Sequence, residues 1–215
     1  MGNDAVKVLT VAVTAVAALV LGVVLGALML GGETTPGDAS AEAGFARDMS
    51  VHHEQAVQLA FIVRDRTDDP EVRAMAYDII NTQRAQIGMF SGWLQQWDLP
   101  ITTTSPPMAW TDSSHKGMDG MQDMGGMSGM EVDSYDDMPG MASDSDVERL
   151  QQARGVEAER LFLELMIDHH LGGVAMAEAV VPLTDRPEVR YLADTIVESQ
   201  QSEITTMEQM LADRS

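Results

Sequence analysis

Apolar positions divide the chain into three regimes. Residues 8–30 carry no charged side chain, and Thr10 and Thr14 are the only polar ones in a run of Val, Ala, Leu and Gly. A helix of that length spans roughly 35 Å, enough for about 30 Å of bilayer hydrocarbon. The run exceeds the roughly 7–15 apolar residues of a cleaved secretory signal. The pattern therefore predicts an uncleaved N-terminal transmembrane anchor over residues 1–32, with a cleaved signal as the alternative; either exports the remainder. Lys7 precedes the run and the next basic residue is Arg47, so the charge bias places the N-terminus inside. Residues 33–44, rich in Gly, Ala, Thr, Ser and acid, read as a flexible tether.

The second regime shows helical periodicity twice. Phe45, Met49, His52/His53, Ala56 and Ala60 recur at three- and four-residue steps, followed by Val72, Met75/Ala76, Ile79/Ile80, Gln83, Ile87 and Phe90/Leu94. An offset of 117 residues carries His52 onto His169 and reproduces the series without a gap: Phe162, Met166, His169/His170, Ala177, Val189, Leu192/Ala193, Ile196/Val197, Gln200, Ile204 and Leu211. The turns repeat as well. Thr67-Asp68-Asp69-Pro70-Glu71-Val72-Arg73 answers Thr184-Asp185-Arg186-Pro187-Glu188-Val189-Arg190, and Asp68, Pro70 and Glu71 read as a helix cap. The chain thus contains two copies of one helical hairpin, 45–99 and 146–215. The third helix starts as early as Asp146. No strand-like alternation occurs. A lone hairpin leaves an apolar stripe uncovered, and two hairpins bury both, so the expected fold is all-α: a pseudo-twofold four-helix bundle.

The third regime, residues 100–145, lacks periodicity and reads as a disordered linker. It contains Met118, Met121, Met124, Met127 and Met130 at three-residue spacing, then Met138 and Met141. Exposed thioethers suit soft cations such as Cu(I), and His115 with neighbouring aspartates adds donors for Cu(II). A low-complexity linker without metal is the plain alternative.

Charge and composition narrow the function. With 13 Lys+Arg against 34 Asp+Glu the formal charge is −21, which repels nucleic-acid phosphates. Cysteine is absent, so disulfides, thiolate nucleophiles and thiolate metal sites are excluded. Methionine, at 17 residues, is the outlier. No nucleophile triad, phosphate loop or dinucleotide fingerprint is present, which argues against an enzyme.

The sharpest chemical signal is the repeated Met-x-x-His-His. On a helix, Met49 approaches His52 and His53 from one turn away, and Met166 does the same for His169 and His170. Four of the five histidines lie in these pairs. Asp48, at i−4 from His52, and Asp168, beside His169, are candidates to orient or ligate. Thioether plus imidazole favours copper over zinc, calcium or magnesium. Structural histidines with satisfied hydrogen bonds are the competing reading. A di-iron centre would require Glu-x-x-His pairs, and no Glu stands three residues before any motif histidine.

The paired Phe-x-x-x-Met-x-x-His-His motifs, the Asp-x-Pro-Glu-Val turns and the Gln-x-x-x-Ile helices resemble the DUF305 family. The resemblance covers residues 44 to the C-terminus, with the Met-rich segment as an insert. It implies an exported, helical, ferritin-like domain formed by both hairpins. Some members resemble extracytoplasmic copper-binding proteins linked to copper resistance. Carried over, this implies Met49, His52, His53, Met166, His169 and His170 as ligands. Leu59 stands where the second copy has Met176, so the copies are not identical.

The expectation is therefore a membrane-anchored extracytoplasmic protein that binds or sequesters copper as Cu(I) or Cu(II). Its expected partners are the metal ion and the membrane, with no nucleic acid; a protein partner is unidentified, and self-association is open. The alternative is an accessory or scaffold subunit of a membrane complex with structural histidines.

Overall fold

The computed structural model describes residues 19–22, 35–111 and 132–214, and the chain divides into two units, residues 1–35 and 36–215. In the first unit, residues 19–22 are helical and exposed; the rest of the apolar run expected to form the anchor lies outside the described residues. Among the described residues no helix is long and apolar enough to cross a membrane.

Among its described residues the second unit is all-helical. Helix α1 is Ala41–Arg64, α2 is Pro70–Gln96, α3 is the short Asp144–Gln152, α4 is Val156–Val180 and α5 is Pro187–Ala212. Single 3-10 turns occur at Tyr135–Asp137 and Val181–Leu183. Ser40 starts α1, its hydroxyl accepting from Ala43 N at 3.2 Å. The cap of α2 is Asp69 rather than Asp68: its carboxylate accepts from Glu71 N (3.0 Å) and Val72 N (2.9 Å), and Pro70 occupies the first turn. Arg186 holds the equivalent position before α5 and gives no side-chain cap. The pattern read as one early-starting third helix is two helices. Gly155, at φ +56°, breaks the chain between α3 and α4, and its N–H reaches Arg66 O at 2.8 Å.

Helices α1 and α2 form one hairpin, α4 and α5 the other, and the hairpins meet through α1 and α4. Two apolar clusters result. One gathers Ala56, Leu59, Val63, Val72, Ile79, Leu150, Phe162, Met166 and Met207; the other gathers Phe45, Met49, Phe90, Leu94, Met176, Val180, Val189 and Ile196. Each of the four long helices contributes one end to each cluster, and the order along α4 is the reverse of that along α1. Between the two ends every helix carries buried polar residues: His52 and His53, Gln83 and Gln86, His169 and His170, and Gln200.

The pseudo-twofold is sealed by a reciprocal clasp. The Thr67 hydroxyl, in the turn of the first hairpin, donates to Glu159 at the start of α4. The Thr184 hydroxyl, in the turn of the second, donates to Glu42 at the start of α1 at 2.7 Å. Both pairs are related by the 117-residue offset. Glu159 also accepts from Arg214 Nε at 2.9 Å, which ties the end of the chain to the same corner.

The ends of the stretch read as a disordered linker are packed. Met108, Trp110 and Met138 are buried in the cluster around Phe45 and Phe90, with Trp110 5.9 Å from the Phe45 ring. Burial of these large apolar side chains offsets the chain entropy that the Gly- and Ser-rich composition suggested would win.

Because Glu159 is buried, Thr67→Val removes a hydrogen bond to a desolvated carboxylate, and a loss of about 1–3 kcal/mol is expected in urea unfolding. Thr184→Val, whose partner Glu42 is half-buried, should lose less. Equal losses from the two would contradict this ordering.

Candidate metal centre

The four motif histidines occupy the middle of the bundle and are fully buried. Pseudo-symmetry brings His52 and His169 face to face, with ring centroids 3.8 Å apart and planes inclined by 34°. His53 and His170 flank them, 6.5 Å from His52 and 6.4 Å from His169 respectively. Met49 and Met166 are also fully buried, one in each apolar cluster, one helical turn before their histidines. The structure thus brings both His-His pairs into one buried layer, with Met49 and Met166 in the apolar clusters on its two sides.

Three imidazoles are held from behind. His53 Nε2 donates to Gln86 Oε1 at 2.7 Å, His170 Nε2 to Glu203 Oε2 at 2.7 Å, and His52 Nε2 to the Pro139 carbonyl at 3.0 Å. These acceptors place the proton on Nε2 and leave Nδ1 as the open ring nitrogen. No Nδ1 of the four has a hydrogen-bond partner, and His169 lacks one on either nitrogen although it sits against the main chain of His52. The Gln83 and Gln200 side-chain amides are likewise buried and unpartnered. Each such group costs about 1–3 kcal/mol when left unsatisfied.

Burial keeps three of the rings, His52, His53 and His169, uncharged. It pushes His52 down to about 4, against the opposing Pro139 carbonyl, and His53 down to about 3, helped by the neighbouring His52. His169 is pushed well below the ordinary imidazole value by burial and by the three rings around it. Imidazoles with open ring nitrogens, one helical turn from thioethers, are a donor set suited to copper. Among the described residues no three His, Asp or Glu side chains stand close enough together to hold one ion. An ion bound here therefore draws on methionine sulfur or on a rearrangement of the rings.

The residues expected to assist fare differently. Asp48 does not serve His52. It is buried, and its Oδ2 accepts from Met108 N (2.7 Å) and Trp110 Nε1 (2.8 Å), fastening residues 108–110 to α1. Burial raises its pKa, against those two donors and Arg47. Asp168 is exposed on α4. Met138 is buried and Met141 half-buried against the apolar cluster, so both act as core rather than as exposed thioethers. His115, Met118, Met121, Met124, Met127 and Met130 lie outside the described residues.

Gln86, Glu203 and Pro139 are the partners that the sequence reading missed. The first two carried a signal: each lies one turn beyond a buried Gln, Gln83 or Gln200, on the apolar face of its helix. Pro139 belongs to a strap crossing the histidines. Gln55 exchanges two hydrogen bonds with Ala142 (2.7 and 2.9 Å), which pins the strap to α1. Close approach to α4 demands two glycines. A Cβ on Gly172 would lie 2.0 Å from Pro139 O, and one on Gly140, at φ +76°, 2.4 Å from Asp168 O.

A family model, the domain of unknown function DUF305, matches residues 42–211. Three solved structures share the fold. A DUF305 protein from Streptomyces coelicolor, predicted to be secreted, is 45% identical with a TM-score of 0.71, over 83% of this chain and 96% of that one. A DUF305 fragment from Deinococcus radiodurans is 34% identical, TM-score 0.63, over 80% and 96%. CopM in its Cu(II)-bound form is 26% identical, TM-score 0.59, over 82% and 98%. No curated protein matches the chain.

The depressed histidines fix a pH dependence for the metal-free protein. A ring that titrates near 3 or 4 when folded and near 6.5 when unfolded makes the unfolded state bind more protons between those values. Stability is complete above about pH 6.5 and falls as the pH drops towards 4. Thermal unfolding across pH 7 to 4.5 should show a shallower decline for His53→Gln than for the unsubstituted chain. Parallel declines would mean that His53 is not held neutral.

Proposed function

The chain belongs to the DUF305 family, and we propose that it is an extracytoplasmic copper-binding protein that takes its metal into the histidine layer. The observation that carries this reading is the set of buried, unpartnered Nδ1 atoms in the paired Met-x-x-His-His motifs. A purely apolar layer would have been the cheaper way to fill a bundle core. In support, CopM, of the same fold, has been crystallised with Cu(II).

The roles divide as follows. The Nδ1 atoms of His52, His53, His169 and His170 would donate to the metal, with the Met49 and Met166 thioethers as soft donors for Cu(I). Gln86, Glu203 and Pro139 hold the rings through their other nitrogens. Copper is cargo here, and the protein acts by binding and sequestration rather than by catalysis. The relation to a secreted-type relative and the apolar run at residues 8–30 support an extracytoplasmic domain held to the membrane by its N-terminal helix. The methionines of residues 112–131 would extend the same soft-metal chemistry.

Three of the four rings are hydrogen-bonded, which is the observation favouring a second reading: a non-enzymatic accessory subunit with structural histidines. Copper titration of the full chain against competing chelators separates the two. Replacing all four motif histidines with Ala should abolish tight Cu(II) binding and leave only the Cu(I) held by the methionines of residues 112–131. The volume-conserving pair Met49→Leu/Met166→Leu, which keeps the core filled, should weaken Cu(I) more than Cu(II). Retention of full affinity by both variants would leave the histidines structural.

A further inference from the structure

The two halves of the centre are built on one plan but carry different charge. His53 and Gln86 are 33 residues apart, as are His170 and Glu203, and the 117-residue offset maps one pair onto the other. Both hydrogen bonds are 2.7 Å long and both use Nε2. An amide oxygen in the first half is a carboxylate oxygen in the second. Only 22% of the Glu203 side chain is exposed and none of the His170 side chain, so water screens the difference weakly.

A second asymmetry falls on the same half. The strap carbonyl of Pro139 accepts from His52 Nε2, whereas the counterpart His169 meets no strap acceptor and has only the main chain of His52 beside it. The second copy therefore offers an imidazole hydrogen-bonded to a carboxylate beside an imidazole that the strap does not hold. The first offers two imidazoles committed to neutral acceptors.

Resting on the copper reading above, we infer that Glu203 makes the His169/His170 half the seat of the divalent ion, while the His52/His53 half, backed by Gln86, favours the monovalent one. A carboxylate that accepts the Nε2 proton raises the donor strength of the opposite nitrogen, and its negative charge would bear on an ion held there. In a buried setting that charge stabilises a dication more than a monocation. The neutral amide supplies orientation without charge, which leaves the softer donors around Met49 to decide.

The test titrates the full chain with Cu(II), and with Cu(I) under reductant, for the unsubstituted protein, Glu203→Gln, Gln86→Glu and the double exchange. Outer partners of metal-binding histidines are worth about 10–100-fold in affinity. Glu203→Gln should weaken Cu(II) by roughly tenfold or more while changing Cu(I) by less than about threefold. Gln86→Glu should strengthen Cu(II), and the exchange should restore it. The electron paramagnetic resonance spectrum of the Cu(II) form should change with Glu203→Gln, a response that loss of packing alone would not produce in a protein of unchanged thermal stability. Equal weakening of both ions, or none, in a chain that still binds copper overturns the assignment to Glu203 alone. A chain that binds no copper overturns the copper reading with it.

Discussion

The architecture depends on the burial of a polar layer. Four imidazoles and three glutamine amides lie where a bundle of this size would ordinarily place leucine. Their desolvation must be offset by the apolar clusters on either side, and this explains why Phe45, Phe90, Phe162 and six or so aliphatic neighbours are packed to complete burial there. The layer also explains the topology. Antiparallel α1 and α4 set like residues of the two copies opposite one another, so a polar segment in one helix meets a polar segment in the next. A slip of one turn would drive histidines into the phenylalanines.

The strap and the clasp solve two remaining problems of that arrangement. The rings need their outer nitrogens satisfied, and the helices supply partners for two of them. The third is met by a main-chain carbonyl that only a glycine-lined path over α4 can deliver. The hairpin ends, far from the layer, carry the buried Glu159, whose charge is met by a hydroxyl and a guanidinium from elsewhere in the fold.

The repeat was the most legible feature in the sequence, because an ungapped offset preserves register along two helices at once. It gave the all-helical fold and the paired histidines, but not the break at Gly155 or the start of α1 at Ala41, inside the stretch read as a tether. It did not reveal where Asp48 points. Helical spacing put it near His52, but residues 108–110 supply an indole and a main-chain N–H that bind it, and no local pattern encodes a partner some sixty residues away. Gln86 and Glu203 were passed over because a polar residue on a helix reads as solvent-facing unless its neighbours show otherwise. Met138 read as an exposed thioether for the opposite reason: Pro and Gly on its C-terminal side hid a contact made in three dimensions. The cap moved from Asp68 to Asp69 because the Thr67 hydroxyl accepts from Asp69 N and so fixes the main chain at the start of the helix.

In the reciprocal Thr–Glu clasp each hairpin completes the other, which is the geometry of an isologous dimer written into a single chain. In a true homodimer every substitution appears on both sides of the axis, so the two imidazole pairs would be bound to carry identical backing. Joining the copies covalently lifts that restriction. Residues 86 and 203 can then differ, and one repeated hairpin yields two halves with different charge behind their imidazoles.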